Sequence, residues 1–116
     1  MTLPLSGIYK ITNNANGKVY IGQSQNVYTR RKQHWTELAH QRHPNKNMQA
    51  DWNNFSRSFR WEVLELCSLE KLNEREEYWI HYYNSIDAGY NQGWVPYKRK
   101  DKQKKKRKVV GYRKRS

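Results

Sequence analysis

At 116 residues the chain can bury one modest core. Its one cysteine, Cys67, excludes an internal disulfide framework and a Cys-x-x-Cys zinc site, and no apolar run approaches the roughly 20 residues of a membrane span. The net charge of +13 is unevenly placed, because residues 1–96 carry 11 Lys and Arg against 9 Asp and Glu whereas residues 97–116 carry 12 against 1. A nearly balanced domain over 1–96 and a basic tail over 97–116, disordered until it meets nucleic acid, are the expected organisation. An anionic membrane surface is the weaker candidate for that tail. Met1–Leu5 lacks the charged and apolar regions of a secretory leader, and with the lone cysteine this points to an intracellular, reducing home.

Two β-prone runs, Gly7–Thr12 and Lys18–Gly22, flank Asn13-Asn14-Ala15-Asn16-Gly17. The Asn-Gly pair tolerates positive φ, so the stretch is expected to be a hairpin. Alternation puts Gly7, Tyr9 and Ile11 on one face and Ile8 and Lys10 on the other. One tyrosine stands in each strand, and a glycine at each outer end permits a close approach to the backbone.

Ser24 and Asn26 are cap candidates for a helix from Val27 to about Gln41, with Val27, Tyr28, Trp35 and Leu38 on one side. Arg30 and His34, four apart, share an edge of that helix. Arg31 lies nearer the middle of the stripe, and periodicity does not choose between the two arginines. Pro44 breaks the helix after Arg42-His43. A second helix over Lys46–Phe55 is expected to turn Met48, Trp52 and Phe55 inward. Ser56-Arg57-Ser58 then connects to a third strand, Phe59–Cys67, with Phe59, Trp61 and Val63 on one face. Cys67 suits a small buried apolar position rather than a reactive thiol.

Ser68 is expected to cap a third helix running to about Asn84, with Leu69, Leu72, Trp79, Ile80 and Tyr83 as its apolar stripe. Glu76 falls at the centre of that stripe, while Glu74 and Glu77 point away. An inward carboxylate must be paired, protonated or ligating a cation. An ion pair to an arginine is the bland alternative to a cleft into which Glu76 projects. Beyond Asp87-Ala88-Gly89-Tyr90-Asn91 patterning fades, and the tail contains Lys104-Lys105-Lys106-Arg107-Lys108.

Two strand tyrosines, an arginine and a histidine on the first helix, and one inward glutamate suit cleavage of a phosphodiester. The transition state gathers negative charge that an arginine and a divalent cation stabilise. Mg²⁺ keeps several waters, so one carboxylate can suffice to hold it. A tyrosine hydroxyl with a lowered pKa can orient or deprotonate the attacking water. No Walker loop, paired Cys/His zinc set or recognisable Ser-His-Asp context competes.

Along most of residues 6–91 the sequence resembles a GIY-YIG nuclease domain, most of all the homing-endonuclease branch of phage and mobile introns. Gly7-Ile8-Tyr9 and Tyr20-Ile21-Gly22 come first. Arg30 stands where the family has its arginine, which selects it over Arg31. His34 and His43 match two histidines of the homing branch, Glu76 the metal-binding glutamate, and Asn91 of Gly89-Tyr90-Asn91 a C-terminal asparagine. The resemblance implies an α+β fold, a three-stranded antiparallel sheet flanked by about three helices. It implies hydrolysis of DNA with one Mg²⁺ or Mn²⁺ per site, leaving 5′-phosphate and 3′-hydroxyl ends; DNA as partner, no membrane and a monomeric state are the expectations. Tyr9 would assist the attacking water, supported by Tyr20, and Arg30 would bind the scissile phosphate. Glu76 would hold the metal, Asn91 would brace the site, and His34 would relay protons or bind phosphate. His43 and Lys104, Lys105, Lys106, Arg107 and Lys108 are the expected DNA contacts, and His40 and His81 are expected at the surface. Homing relatives continue into a linker and separate DNA-binding modules. Here either the tail replaces them or the chain is a fragment or a compact nuclease. Restriction-type or structure-specific nucleases of the same superfamily, and a non-cleaving nucleic-acid-binding module, are the alternatives. The Lys-rich run also mimics a nuclear import signal.

Overall fold

The computed structural model describes residues 5–92. Strands β1 (Gly7–Asn13) and β2 (Lys18–Ser24) form the expected hairpin, in register from Gly7 opposite Ser24 to Asn13 opposite Lys18. Its turn is closed by the Gly17 amide on the Asn13 carbonyl (2.7 Å), and the Asn13 and Asn16 side chains accept the amides of Ala15 and Lys18. Strand β3 (Phe59–Leu66) pairs antiparallel with β1, giving the order β2-β1-β3. A bulge at Ile8/Tyr9 interrupts the β1–β3 register.

Both faces of the sheet are covered, so the alternation along β1 feeds two cores. Tyr9 and Ile11 pack with Val27, Leu38, Met48, Phe59 and Tyr90 on one side. Ile8 packs with Val19, Ile21, Leu72 and Ile80 on the other. Helices α1 (Val27–Ala39) and α2 (Lys46–Phe55) supply the first layer and α3 (Leu72–Tyr83) the second. A central strand with two covered faces is why five of the seven residues of β1 are buried.

Asn26 caps α1 by accepting the amides of Tyr28 and Thr29, while Ser24 Oγ bonds the Asn26 backbone and holds the cap in place. The helix ends at Ala39, two residues short of the expected limit, and Gln41 takes a positive φ of 63°. Helix α2 has the expected bounds and is capped by Asn45, whose side chain accepts the Met48 amide. Ser68 does not cap α3. It precedes a single 3₁₀ turn, Leu69–Lys71, makes no capping bond, and α3 starts only at Leu72. Tyr28, Phe55 and Leu69 were expected to face inward and are instead 55%, 45% and 60% exposed. Each sits within the first or last turn of its helix or just outside it, where the apolar stripe has run past the layer beneath it.

After α3 the chain returns along the free edge of β2. The Tyr90 amide bonds the Val19 carbonyl (2.9 Å), and the Asn91 side chain pairs with both backbone groups of Ile21, accepting from its amide (2.8 Å) and donating to its carbonyl (2.9 Å). Asn91 thereby occupies hydrogen-bonding groups that an open edge leaves unpaired. The buried Tyr90 anchors this strap, donating to Asp51 and accepting from Asn13 Nδ2.

Candidate active site

Tyr9 stands opposite Gly22 in the hairpin, and Tyr20 lies diagonally across from it. The Tyr9 ring lies so close over Gly22 that a Cβ there would collide with the ring and its hydroxyl, and Gly7 likewise leaves no room before the Glu65 carbonyl. The two end glycines therefore serve the protein's own packing. Behind the ring, Trp61 stacks on Tyr9 at 4.4 Å between centroids, 17° from parallel. Tyr9 is consequently held between Gly22 and an indole that cannot retreat into a filled core. Gly22→Ala is expected to destabilise the domain by about 1–3 kcal/mol, the usual cost of overpacking, and to slow any chemistry that depends on the Tyr9 hydroxyl. Thermal melts and single-turnover cleavage check this. A variant that melts and cuts like the parent would show that the ring has slack.

The Tyr9 hydroxyl meets His34 Nε2 at 2.6 Å, His34 Nδ1 meets His43 Nε2 at 2.7 Å, and the Asn45 backbone amide donates to His43 Nδ1 at 3.0 Å. All four imidazole nitrogens are thus engaged. Both histidines are buried, His34 to 1% and His43 to 3% exposure. Burial, with the Arg30 and His43 charges, pushes the His34 pKa down to about 3, and burial lowers His43 as well. A histidine kept neutral in the fold but titrating near 6.5 when unfolded takes up its proton preferentially in the unfolded chain. Stability is then full above that value and declines as pH falls toward about 3. Thermal midpoints should therefore drop between pH 6.5 and 5, above the range where carboxylates titrate, and flat midpoints there would mean that the imidazoles charge within the fold.

His34 and His43 thus face each other and Tyr9 in the interior of the fold. Neither ring reaches the surface, and each ring nitrogen already has a partner. Donor atoms of His34, Glu37 and His43 do lie within 4.8 Å of one another, and Glu37 Oε1 is buried without a hydrogen-bond partner. Two imidazoles and a carboxylate suit zinc or nickel better than magnesium. A metal there would have to displace the histidine–histidine bond.

Arg30, not Arg31, faces the tyrosines: it is half-buried beside the Tyr9 hydroxyl while Arg31 is exposed, and Gln33 accepts from its Nη1 at 2.8 Å. Glu76 comes from α3, across the sheet, and its Oε1 accepts from Gln23 Nε2 at 3.0 Å where β2 ends. It is half-buried, and its charge bears on both tyrosines, raising their pKa values. For each tyrosine burial is the larger cause of the rise; Arg30 opposes it. A hard carboxylate oxygen oriented by an amide fits a magnesium-type ion that keeps most of its waters. Arg75, the neighbour of Glu76, pairs instead with Glu65 at 2.8 Å.

Tyr9, Tyr20, Arg30, His34 and Glu76 thus converge at one end of the sheet, with His43 behind His34 and Asn91 on the outer edge of β2 beside Tyr20. His40 and His81 are exposed, as expected. Lys104, Lys105, Lys106, Arg107 and Lys108 lie outside the described residues. Trp61, Gln23, Asn45 and Glu37 join the site without having been singled out for it. Trp61 was legible as an inward strand residue, but the capping role of Asn45 was not read from the sequence, and nothing in the pattern links Gln23 to Glu76.

A tyrosine pair on a hairpin, an arginine from the following helix and a glutamate from the last helix define the class, and the chain belongs to the GIY-YIG family: residues 5–91 match the GIY-YIG catalytic domain. It is 38% identical over 88 residues to Intron-associated endonuclease 1 of Enterobacteria phage T4, an alignment covering 74% of this chain and 36% of that protein. The chain therefore spans little more than a third of that relative's length. The fold is similar to the catalytic domain of homing endonuclease I-TevI, with a TM-score of 0.71 and 33% identity over 76% of this chain and 98% of the other. A mutant of that domain aligns with a TM-score of 0.69 and 34% identity, over 74% and 91% of the two chains. The three-stranded antiparallel sheet with three helices is the fold shared with these structures.

Proposed function

We propose that this protein is a divalent-metal-dependent DNA endonuclease of the homing type, hydrolysing phosphodiester bonds to leave 5′-phosphate and 3′-hydroxyl ends. The observation that carries this reading is the convergence of Tyr9, Tyr20, Arg30 and Glu76 from four elements, β1, β2, α1 and α3, onto one end of the sheet. Arg30 binds the scissile phosphate and neutralises charge that builds on it. Once ionised, with its own proton released to solvent, Tyr9 accepts a proton from the attacking water. Burial first, and Tyr20 next, hold its pKa well above the usual phenol value, with Arg30 opposing them. Tyr9 is thus a neutral phenol in the free protein and depends on cationic neighbours to act as a base. Tyr20 flanks it and orders the water, Glu76 holds Mg²⁺ or Mn²⁺ with Gln23 orienting the carboxylate, and Asn91 braces the edge strand that carries Tyr20. When bound, the ion supplies Lewis-acid stabilisation of the developing negative charge.

The test is cleavage of plasmid, branched DNA and RNA by the full chain with Mg²⁺ and with EDTA. Metal-dependent cutting of plasmid is expected. Cutting confined to branched DNA would favour the structure-specific alternative, and no cutting of any substrate by folded protein would leave a binding module.

Residues 1–96 form the nuclease and 97–116 a DNA-binding tail in the same reading, acting as a monomer inside the phage-infected or bacterial cell. Among the described residues no helix is long and apolar enough to cross a membrane. Each phosphate contact adds roughly −0.9 to the slope of log affinity against log salt. Removing residues 97–116, with their 12 Lys and Arg, should flatten that slope by several units and leave the rate at saturating protein nearly unchanged. An unchanged slope would exclude the tail from binding.

A further inference from the structure

The histidine pair has a direction, and its outer end reveals it. A backbone amide can only donate, so the Asn45 N–H on His43 Nδ1 (3.0 Å) requires that nitrogen to be an unprotonated acceptor. A neutral His43 then carries its proton on Nε2 and donates it to His34 Nδ1 (2.7 Å). His34 Nδ1 being an acceptor, a neutral His34 carries its own proton on Nε2, which faces the Tyr9 hydroxyl oxygen at 2.6 Å. The reverse order would set a His43 Nδ1 proton against the Asn45 N–H inside a buried cluster, leaving both without an acceptor.

We propose that the Asn45 amide sets the tautomers of His43 and His34 in turn and makes His34 a hydrogen-bond donor to the Tyr9 oxygen, so that the histidine pair is a positioning device that stabilises the Tyr9 anion and does not receive its proton. The inference deepens the reading of Tyr9 as base and rests on it for its catalytic consequence. His34 then donates to the Tyr9 oxygen, and the nearby Arg30 charge also favours its anion. The proton that Tyr9 must first lose goes to solvent water, because Arg30 is already a cation, Tyr20 is a neutral phenol and His34 Nε2 already carries its own proton. His43 and Asn45 acquire roles through His34 alone. The surroundings hold them in place: Gln49 Oε1 accepts the His43 amide (3.0 Å), and Asn45 Nδ2 bonds the Tyr90 carbonyl (2.7 Å), tying the device to the strap that carries Asn91.

Nitrogen-15 spectra of histidine-labelled full-length protein at pH 7 read the tautomers without any cleavage. Both His34 and His43 are expected neutral and protonated on Nε2. A His34 protonated on Nδ1, or carrying charge, overturns the proposal. The kinetic counterpart uses H34Q and H34L. A glutamine offers the same acceptor and donor as the proposed tautomer, a carbonyl for His43 and an N–H for Tyr9, but cannot take up a proton. Donors to a developing anion are worth about 10²–10³-fold, so H34L should lose that much in single-turnover rate and H34Q should lose about tenfold or less. Equal, large losses in both, with the glutamine variant folded, would overturn the donor role. Failure of the base reading is distinguishable, because Tyr9→Phe would then cut at the parent rate while the tautomers remained as stated.

Discussion

Glu76→Ala is expected to abolish Mg²⁺-dependent cleavage while leaving the fold and DNA affinity nearly intact. The carboxylate comes from α3, on the face of the sheet opposite α1 and α2, and accepts from Gln23 at the end of β2. It is half-buried, and its charge raises the pKa of both Tyr9 and Tyr20. In the absence of a cation that charge opposes the base it is meant to serve, so its position makes physical sense when a cation offsets it. Truncation removes the hydrogen bond from Gln23, typically a net contribution of about 1 kcal/mol, and relieves the cost of burying part of a charge. The melting temperature should consequently move little in either direction. The decisive comparison is cleavage and DNA binding measured side by side in Mg²⁺. A variant that cuts normally removes Glu76 from the metal site, whereas one that unfolds makes the carboxylate a structural group.

Tyr9→Phe is expected to lower the single-turnover rate by about 10²–10⁴-fold, the usual range for a lost general acid or base, with DNA affinity unchanged. The ring stays stacked on Trp61 and against Gly22, so packing is preserved. Stability nevertheless falls somewhat, because the buried His34 Nε2 loses its partner; an unsatisfied buried polar group costs about 1–3 kcal/mol. Tyr20→Phe should slow cleavage less. Its ring lies 6.4 Å from that of Tyr9 and keeps its packing when the hydroxyl is removed. If both variants cut at near the parent rate, the tyrosines are strand residues and the proposed chemistry is wrong.

The sequence by itself determined what is local. The hairpin follows from an Asn-Gly turn between two alternating runs, and the limits of α2 from the break at Pro44 and the apolar period that follows it. The inward setting of Glu76 follows from the 3.6-residue period of α3. Each depends on torsions and neighbours within a few positions. Only the tertiary structure decided which of these residues meet. Periodicity puts Arg31 nearer the apolar stripe than Arg30; the motif spacing selects Arg30, and the packing of α1 on the sheet is what sets it beside Tyr9. His43 reads as a loop residue before a proline and is buried behind His34, since the chain reverses between α1 and α2 and brings it back. Gly22 looks like a terminal strand glycine until the register sets it under the Tyr9 ring. Asn91 looks like a turn residue until the chain lays it along β2. In every such case the missing information is a long-range contact, set by how two helical layers close over both faces of one three-stranded sheet.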